Sequence, residues 1–172
     1  GLISLFANRA NTTDARVLGE LTISMLNGES GVLKKEFEKL VDWIRDEPLP
    51  DIINIPNTLL ISLAAPLKRA TGRPVCCTLS GEELFLDGLP LEFRDRAVAL
   101  IRRQVQEVDR FIAVSDYCAR YMTELFAIPA TQMSVVPLGI DTSGYAMAAP
   151  ASDVFTIGYF ARIAPEKGLN VL

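Results

Sequence analysis

Apolar residues recur along this chain in two alternating patterns, one with the spacing of a helix and one of short apolar runs. The helical spacing predicts five amphipathic helices, at about residues 14–26, 32–45, 57–70, 90–107 and 115–126. The short apolar runs predict buried strands at about residues 51–55, 74–79, 110–114 and 133–137. Because strands and helices alternate, we expect an α/β fold with a parallel sheet built from right-handed βαβ units.

Two local signals modify this pattern. Pro66 lies inside the third helical pattern and predicts a kink or an early break there. The stretch 80–90 after the second strand predicts a long loop, since such connections usually have about 2–6 residues. In it Gly81 allows close backbone approach, and Glu82 and Glu83 offer acceptors for hydroxyl groups. A solvated acidic loop is the alternative.

Ser115 directly follows the third predicted strand and is placed to cap the next helix. A helix that begins at the carboxyl end of a parallel strand offers free backbone amides to an anion. Capping alone is the other interpretation of Ser115. Asn57, Ser80 and Ser115 follow three successive strands, so we expect them at one edge of the sheet.

A second unit is predicted near the carboxyl end of the chain. Residues 142–153 are rich in Ala, Pro, Ser and Gly, which is typical of a linker and divides the chain into domains at 1–150 and 151–172. The apolar run 154–160 predicts a buried strand, followed by a loop that contains Arg162, Glu166 and Lys167. Two cations at a strand end suit a phosphorylated ligand held between the edges of two sheets, whereas a surface salt bridge with Glu166 is the alternative.

The amino-acid composition argues against several classes of function. With 21 acidic and 17 basic residues, the net charge of -4 argues against a general nucleic-acid-binding protein. The absence of histidine removes the usual general base and any Ser-His triad from these 172 residues. Three cysteines without metal-like spacing predict buried thiols in a reduced, cytoplasmic compartment. No apolar run reaches the ~20 residues of a membrane span, while contact with a membrane surface stays open.

Three segments carry a resemblance to a known family. Residues 157–168 resemble the G-x-x-x-R-x-x-x-x-K-G loop that opens the second domain of the group 1 (family 4) glycosyltransferases, and residues 111–115 and 135–141 are similar to two further signatures of that family in the same order. The resemblance implies the two-domain GT-B architecture. On this basis the chain contains part of a Rossmann-like, acceptor-side domain and the first strand and loop of a nucleotide-sugar-binding domain.

The resemblance also implies an activity, that of a hexosyltransferase. Such an enzyme moves a sugar from a nucleotide-sugar donor to a sugar, lipid or small-molecule acceptor, with retention of configuration and without a required metal or another cofactor. In the family, the residues that match Arg162 and Lys167 hold the donor diphosphate. The candidates for lining the cleft are Ser80, Gly81, Glu82, Ser115, Gly158 and Glu166. No catalytic residue is assigned, because Ser80 stands where many members have a histidine.

Two other functions remain open at this level. A nucleotide-sugar epimerase of the same architecture would release an altered nucleotide sugar, and a non-catalytic sugar- or nucleotide-binding protein would release no product. We also expect the chain to be a piece of a longer protein, truncated at its start, and inactive by itself because both parts of the donor site are incomplete.

Overall fold

A computed structural model describes residues 14–146, 156–163 and 167–171 of the chain. The helices of the first unit are α1 (Ala15–Leu26), α2 (Lys34–Asp46), α3 (Ala64–Thr71), α4 (Glu82–Asp87), α5 (Leu91–Gln104) and α6 (Asp116–Phe126). The strands are β1 (Ile53–Ile55), β2 (Val75–Leu79), β3 (Arg110–Ala113) and β4 (Met133–Val135). Short 3₁₀ turns connect them at Gly28–Ser30, Thr58–Leu63, Val105–Glu107 and Ala130–Gln132.

The four strands form one parallel sheet in the order β1-β2-β3-β4. In β2, Val75, Cys77 and Leu79 share one face and are fully buried, because alternate residues of a strand point to the same side. On the opposite face, the Thr78 hydroxyl lies 3.1 Å from the Asn54 side-chain oxygen. The α/β class and the parallel sheet predicted from the sequence are therefore confirmed.

The core lies between this sheet and its helices. Phe111 of β3 is fully buried together with Ile101 of α5 and with Met122 and Phe126 of α6. Helices α1 and α5 also pack against each other, where Gly19 lies against the Phe93 ring. Apolar burial of this kind supplies most of the free energy that holds such a layer together.

The Asp109 carboxylate connects elements at the amino-terminal edge of the sheet. Asp109 accepts hydrogen bonds from the Val75 backbone N–H at 2.8 Å and from the Lys68 ammonium at 2.9 Å. Desolvation works to raise the pKa of Asp109, but these two bonds outweigh it and leave that pKa below its ordinary value. The ionised side chain thus links the end of α3 to the starts of β2 and β3.

The helix predicted at residues 57–70 is divided into a 3₁₀ turn and α3. Asn57 caps the 3₁₀ turn, and its side chain accepts from the Leu59 N–H at 3.1 Å. Pro66 is the third residue of α3, in the first turn, where a backbone N–H would have no intrahelical acceptor. The early break predicted at Pro66 is therefore displaced to the junction before Ala64. Gly72 ends α3 in the left-handed conformation, at a φ of 68°.

The prediction of a long loop at residues 80–90 is wrong, because helix α4 lies within this stretch. Glu82 and Leu86 are the buried residues of this six-residue helix. The helix is too short to show a recurring apolar pattern, which is why the sequence favoured a loop. Two acidic residues in its first turn, Glu82 and Glu83, stabilise it through the helix dipole.

The prediction of a strand at residues 154–160 is also wrong for residues 156–160, the part that the structure describes. Residues 156–160 have irregular backbone, with Ile157 62% exposed and Phe160 fully exposed. None of the described strands pairs with this segment, so its backbone groups lack the hydrogen-bonded ladder that a strand needs. Val154 and Phe155 lie outside the described residues.

The chain divides into two compact units, Gly1–Leu138 and Gly139–Leu172. The described start of the predicted linker, residues 142–146, is exposed and contains a turn. Among residues 14–146, 156–163 and 167–171, no helix is both long and apolar enough to cross a membrane.

Candidate functional site

The carboxyl edge of the sheet brings together three of the segments that the sequence selected. Asn57 follows β1, Ser80 and Gly81 follow β2, and Ser115 follows β3. These strands are parallel neighbours, so their carboxyl ends meet at one edge. In open α/β sheets this edge is where ligands bind, and the expected grouping of these residues is confirmed.

Glu82 is buried at this edge and accepts three hydrogen bonds from within the chain. One oxygen, Oε1, accepts from the Thr58 N–H and the Thr58 hydroxyl, both at 2.9 Å. The other, Oε2, accepts from the Ser80 N–H at 2.8 Å. Glu82 is 5% exposed and Thr58 is fully buried. Glu82 thus accepts hydrogen bonds from Thr58 and Ser80 of the chain itself, rather than from the hydroxyl groups of a ligand as the sequence predicted. Its carboxylate links the ends of β1 and β2.

Glu83, the next residue, is bonded differently. Its Oε2 is buried and has no hydrogen-bond partner in the described part of the chain. Gly81 lies beside it with a φ of 88°, a conformation that glycine adopts without strain. A methyl group built at Gly81 would lie 3.9 Å from Oε1 and 4.0 Å from Oε2 of Glu83. These are ordinary van der Waals distances, so Gly81 lies next to this carboxylate.

Ser115 caps α6, as the sequence predicted. Its hydroxyl oxygen accepts from the Cys118 N–H at 3.1 Å, and Ser115 itself is exposed. Burial raises the pKa of the Cys118 thiol, a backbone hydrogen bond from Val114 lowers it, and the charges of Glu83 and Glu82 raise it further. The Cys118 sulfur also lies 4.0 Å from the Leu79 carbonyl oxygen, which places the first turn of α6 next to the end of β2.

The sequence did not single out Thr58 or Cys118 as members of this edge. Thr58 follows an N-cap asparagine and looked like an ordinary residue of a first turn. Its bond to Glu82 spans 24 positions, and no local pattern reports a contact over that distance. Cys118 could have been found from its place three residues after a capping serine, one helical turn inside α6.

The second unit carries the two predicted cations. Arg162, Lys167 and Gly158 are all exposed, and the Tyr159 hydroxyl donates to the Arg162 carbonyl at 3.1 Å. Gly168 has a φ of 73° and is followed by a 3₁₀ turn at Leu169–Val171. Glu166 lies outside the described residues, so its predicted place beside these cations stays a prediction.

Metal ligands, thiols and cavities are the other features of the described residues that could bind a ligand. No group of three His, Cys, Asp or Glu residues there could hold a metal ion. Cys76, Cys77 and Cys118 are free thiols; Cys76 and Cys77 are buried as the sequence predicted, whereas Cys118 is only half-buried. A cavity of about 500 Å³ lies along α5 and is lined by Arg94, Asp95, Val98, Ala99, Arg102, Arg103 and Leu125. None of the described site candidates lines this cavity.

Comparison with known protein families identifies a relationship for the first unit. The family model of Glycosyltransferase Family 4 matches residues 12–143, more than three quarters of the chain. The matched region contains the whole sheet and its carboxyl edge, and it ends before Arg162 and Lys167. No curated protein matches the chain.

Proposed function

Because this chain belongs to Glycosyltransferase Family 4, we propose that it is part of an enzyme that transfers a hexose from a nucleotide-sugar donor to an acceptor with retention of configuration. The acceptor is a sugar, a lipid or a small molecule, and neither a metal nor another cofactor is required. The match to residues 12–143 is the observation that carries the proposal. It favours a transferase over an epimerase or a non-catalytic binding protein.

We propose two sets of binding residues, one in each unit. At the carboxyl edge of the sheet, Ser80, Gly81 and Ser115 bind the acceptor, supported by their grouping at the ends of β2 and β3. In the second unit, Arg162 and Lys167 bind the donor diphosphate, with Gly158 and Glu166 in the same loop. The exposure of Arg162 and Lys167 leaves both side chains accessible to a ligand.

The chemistry follows from where charge develops. As the bond from the sugar to the diphosphate breaks, negative charge builds on the departing phosphate oxygens. A planar guanidinium that donates two hydrogen bonds and a compact ammonium stabilise this charge more in the transition state than in the bound substrate. Arg162 and Lys167 supply these two kinds of cation without a metal ion. The unpaired thiols support a cytoplasmic location for the enzyme, since disulfides are rare there.

The transferase proposal is tested by product analysis with the full-length protein. We expect incubation with a panel of labelled nucleotide hexoses and candidate acceptors to yield a glycosylated acceptor. NMR of the new glycosidic bond should show the anomeric configuration of the donor. A free, epimerised nucleotide sugar as the sole product would contradict the proposal, and an inverted linkage would contradict retention alone.

The role of Arg162 is tested by nucleotide binding. We expect Arg162→Ala to weaken the binding of UDP or GDP by about 10- to 100-fold, which is the effect of losing a charge-assisted hydrogen-bonded pair. Isothermal titration calorimetry measures this change. Arg96→Ala is the matched control, because Arg96 is an exposed arginine of α5 in the other unit. Equal affinity in wild type and Arg162→Ala would remove Arg162 from the donor site.

A further inference from the structure

We propose that the cavity along α5 binds a small organic phosphate, a ligand that combines an anionic phosphate group with an apolar body. The cavity has a volume of about 500 Å³, which lies within the range of about 300–1,000 Å³ that is usual for small-molecule sites. Its lining joins an apolar floor to two arginines that have no carboxylate partner among the described residues. Volume, polarity and charge therefore point to one class of ligand.

The floor of the cavity is apolar. Val98 and Ala99 of α5 and Leu125 of α6 supply this part of the lining. Val98 is buried and Leu125 is half-buried, and both pack against the core. The two helices also pack against each other, and sites built on helices hold their side chains more precisely than sites on loops. An apolar part of a ligand would lose water on contact with this floor, which favours its binding.

The charges in the lining do not cancel. Arg94 donates to the Asp87 carboxylate at 2.7 Å and lies 3.5 Å from that of Asp95, so its charge is compensated. Arg102 and Arg103 form no ion pair with a described residue. Two positive charges thus remain at the cavity, and a phosphate monoester carries a charge of about −1.5 to −2 near pH 7. The charge of the ligand matches the unpaired charge of the site.

The two guanidinium groups are also partly fixed in place. The Arg102 Nε–H donates to the Leu125 carbonyl at 2.9 Å, and the Arg103 Nε–H donates more weakly to the Ala99 carbonyl at 3.4 Å. In each guanidinium the terminal nitrogens form no hydrogen bond with a described residue. Capping of the end of α6 explains the Nε bond of Arg102, but it leaves these terminal N–H groups unused. They can donate paired hydrogen bonds to phosphate oxygens, and the Nε bonds reduce the side-chain entropy that binding costs.

The two arginines are separate from the edge at which the acceptor binds in the proposed function. Arg102 and Arg103 lie in the last turn of α5, which leads through the turn at Val105–Glu107 into the start of β3. They are therefore near the amino-terminal edge of the sheet, whereas Ser80 and Ser115 follow the carboxyl ends of β2 and β3. The organic phosphate is thus an additional ligand, and the inference does not rest on the transferase proposal.

NMR titration of the full chain with phenyl phosphate tests the inference. We expect saturable shifts of the backbone amides of α5 and of Leu125. Arg103→Ala should weaken binding by about 10- to 100-fold, the effect of losing a charge-assisted hydrogen-bonded pair. Arg103 is the residue to change, because its side-chain bond lies within α5, so the change removes no hydrogen bond between described elements. Arg96→Ala is the matched control and should keep wild-type affinity, since Arg96 is an exposed arginine of the same helix that does not line the cavity.

Three further measurements distinguish this site from a general attraction of anions. Ala99→Glu, which places a carboxylate at an exposed position of the lining, should abolish the binding of phenyl phosphate. Inorganic phosphate should bind at least about tenfold more weakly, because it lacks a body that contacts the floor. Arg162→Ala should bind phenyl phosphate as tightly as wild type. Wild-type affinity in Arg103→Ala or Ala99→Glu, equal affinities for the two phosphates, or a loss of binding in Arg162→Ala would each overturn the inference, as would shifts in wild type that do not saturate.

Discussion

Replacing Glu82 by alanine is expected to lower the free energy of unfolding by about 3 kcal/mol, because three polar hydrogens at the ends of β1 and β2 lose their acceptor. These are the Thr58 N–H, the Thr58 hydroxyl and the Ser80 N–H, each within 2.9 Å of the carboxylate. Glu82 is 5% exposed, so water does not replace the lost bonds. Urea unfolding of the full chain measures the change.

Glu82→Gln refines this result. The glutamine oxygen can still accept from Thr58, but its NH₂ group would then face the Ser80 N–H with a second donor. We therefore expect a loss of about 1.5–2 kcal/mol, together with faster hydrogen exchange at the Ser80 amide. The control Glu107→Gln should change stability by less than about 0.5 kcal/mol, because Glu107 is exposed. Wild-type stability in Glu82→Ala would contradict the role of this carboxylate.

The second large effect is expected in the core. Gly19→Ala should destabilise the protein by about 1–3 kcal/mol through overpacking. A Cβ at Gly19 would lie 2.4 Å from Cγ and 2.8 Å from Cβ of Phe93. Those atoms are close to the backbone of α5, so the ring cannot move away by a simple rotation. The sign is diagnostic, because alanine in place of glycine inside a helix otherwise stabilises by about 1 kcal/mol.

A second-site change provides the check on this explanation. Gly19→Ala combined with Phe93→Ala should be more stable than the sum of the two single changes predicts, since alanine lacks the Cγ and Cδ2 atoms that would lie 2.4 and 2.7 Å from the new methyl group. Thermal or urea unfolding of the four proteins measures this coupling. Ser24→Ala in the same helix is the control, with an expected change of less than about 0.5 kcal/mol. Additive effects would show that the Phe93 contact is not the cause.

Local sequence patterns predicted much of this fold. The strands β2 and β3 are four to five residues long and rich in buried apolar side chains, so their apolar runs were clear. Helix α6 combined a capping serine with a strong apolar stripe, and its start at Asp116 agrees with the predicted cap at Ser115. Here propensity, pattern and capping agree, which is the condition under which sequence reasoning succeeds.

The sequence predicted the structure less well where an element is short or where a contact joins residues far apart in the chain. Helix α4 has six residues, fewer than two turns, so it showed no period. The run at residues 156–160 has the composition of a strand, but composition does not supply the neighbouring strand that pairing requires. The contrast between Glu82 and Glu83 depends on a bond to Thr58 across 24 positions, and only the folded arrangement distinguishes the two carboxylates.

The strand order has a consequence for how the chain folds as it is synthesised. Each strand pairs with the one made just before it, and paired residues such as Ile53 and Val75 or Cys76 and Arg110 are between 22 and 34 positions apart. Each described strand can pair as soon as the next one has been synthesised, so the sheet can form one strand at a time as the chain leaves the ribosome. Such vectorial growth keeps the entropy of loop closure small at every step and limits the time for which any strand edge is exposed to other chains.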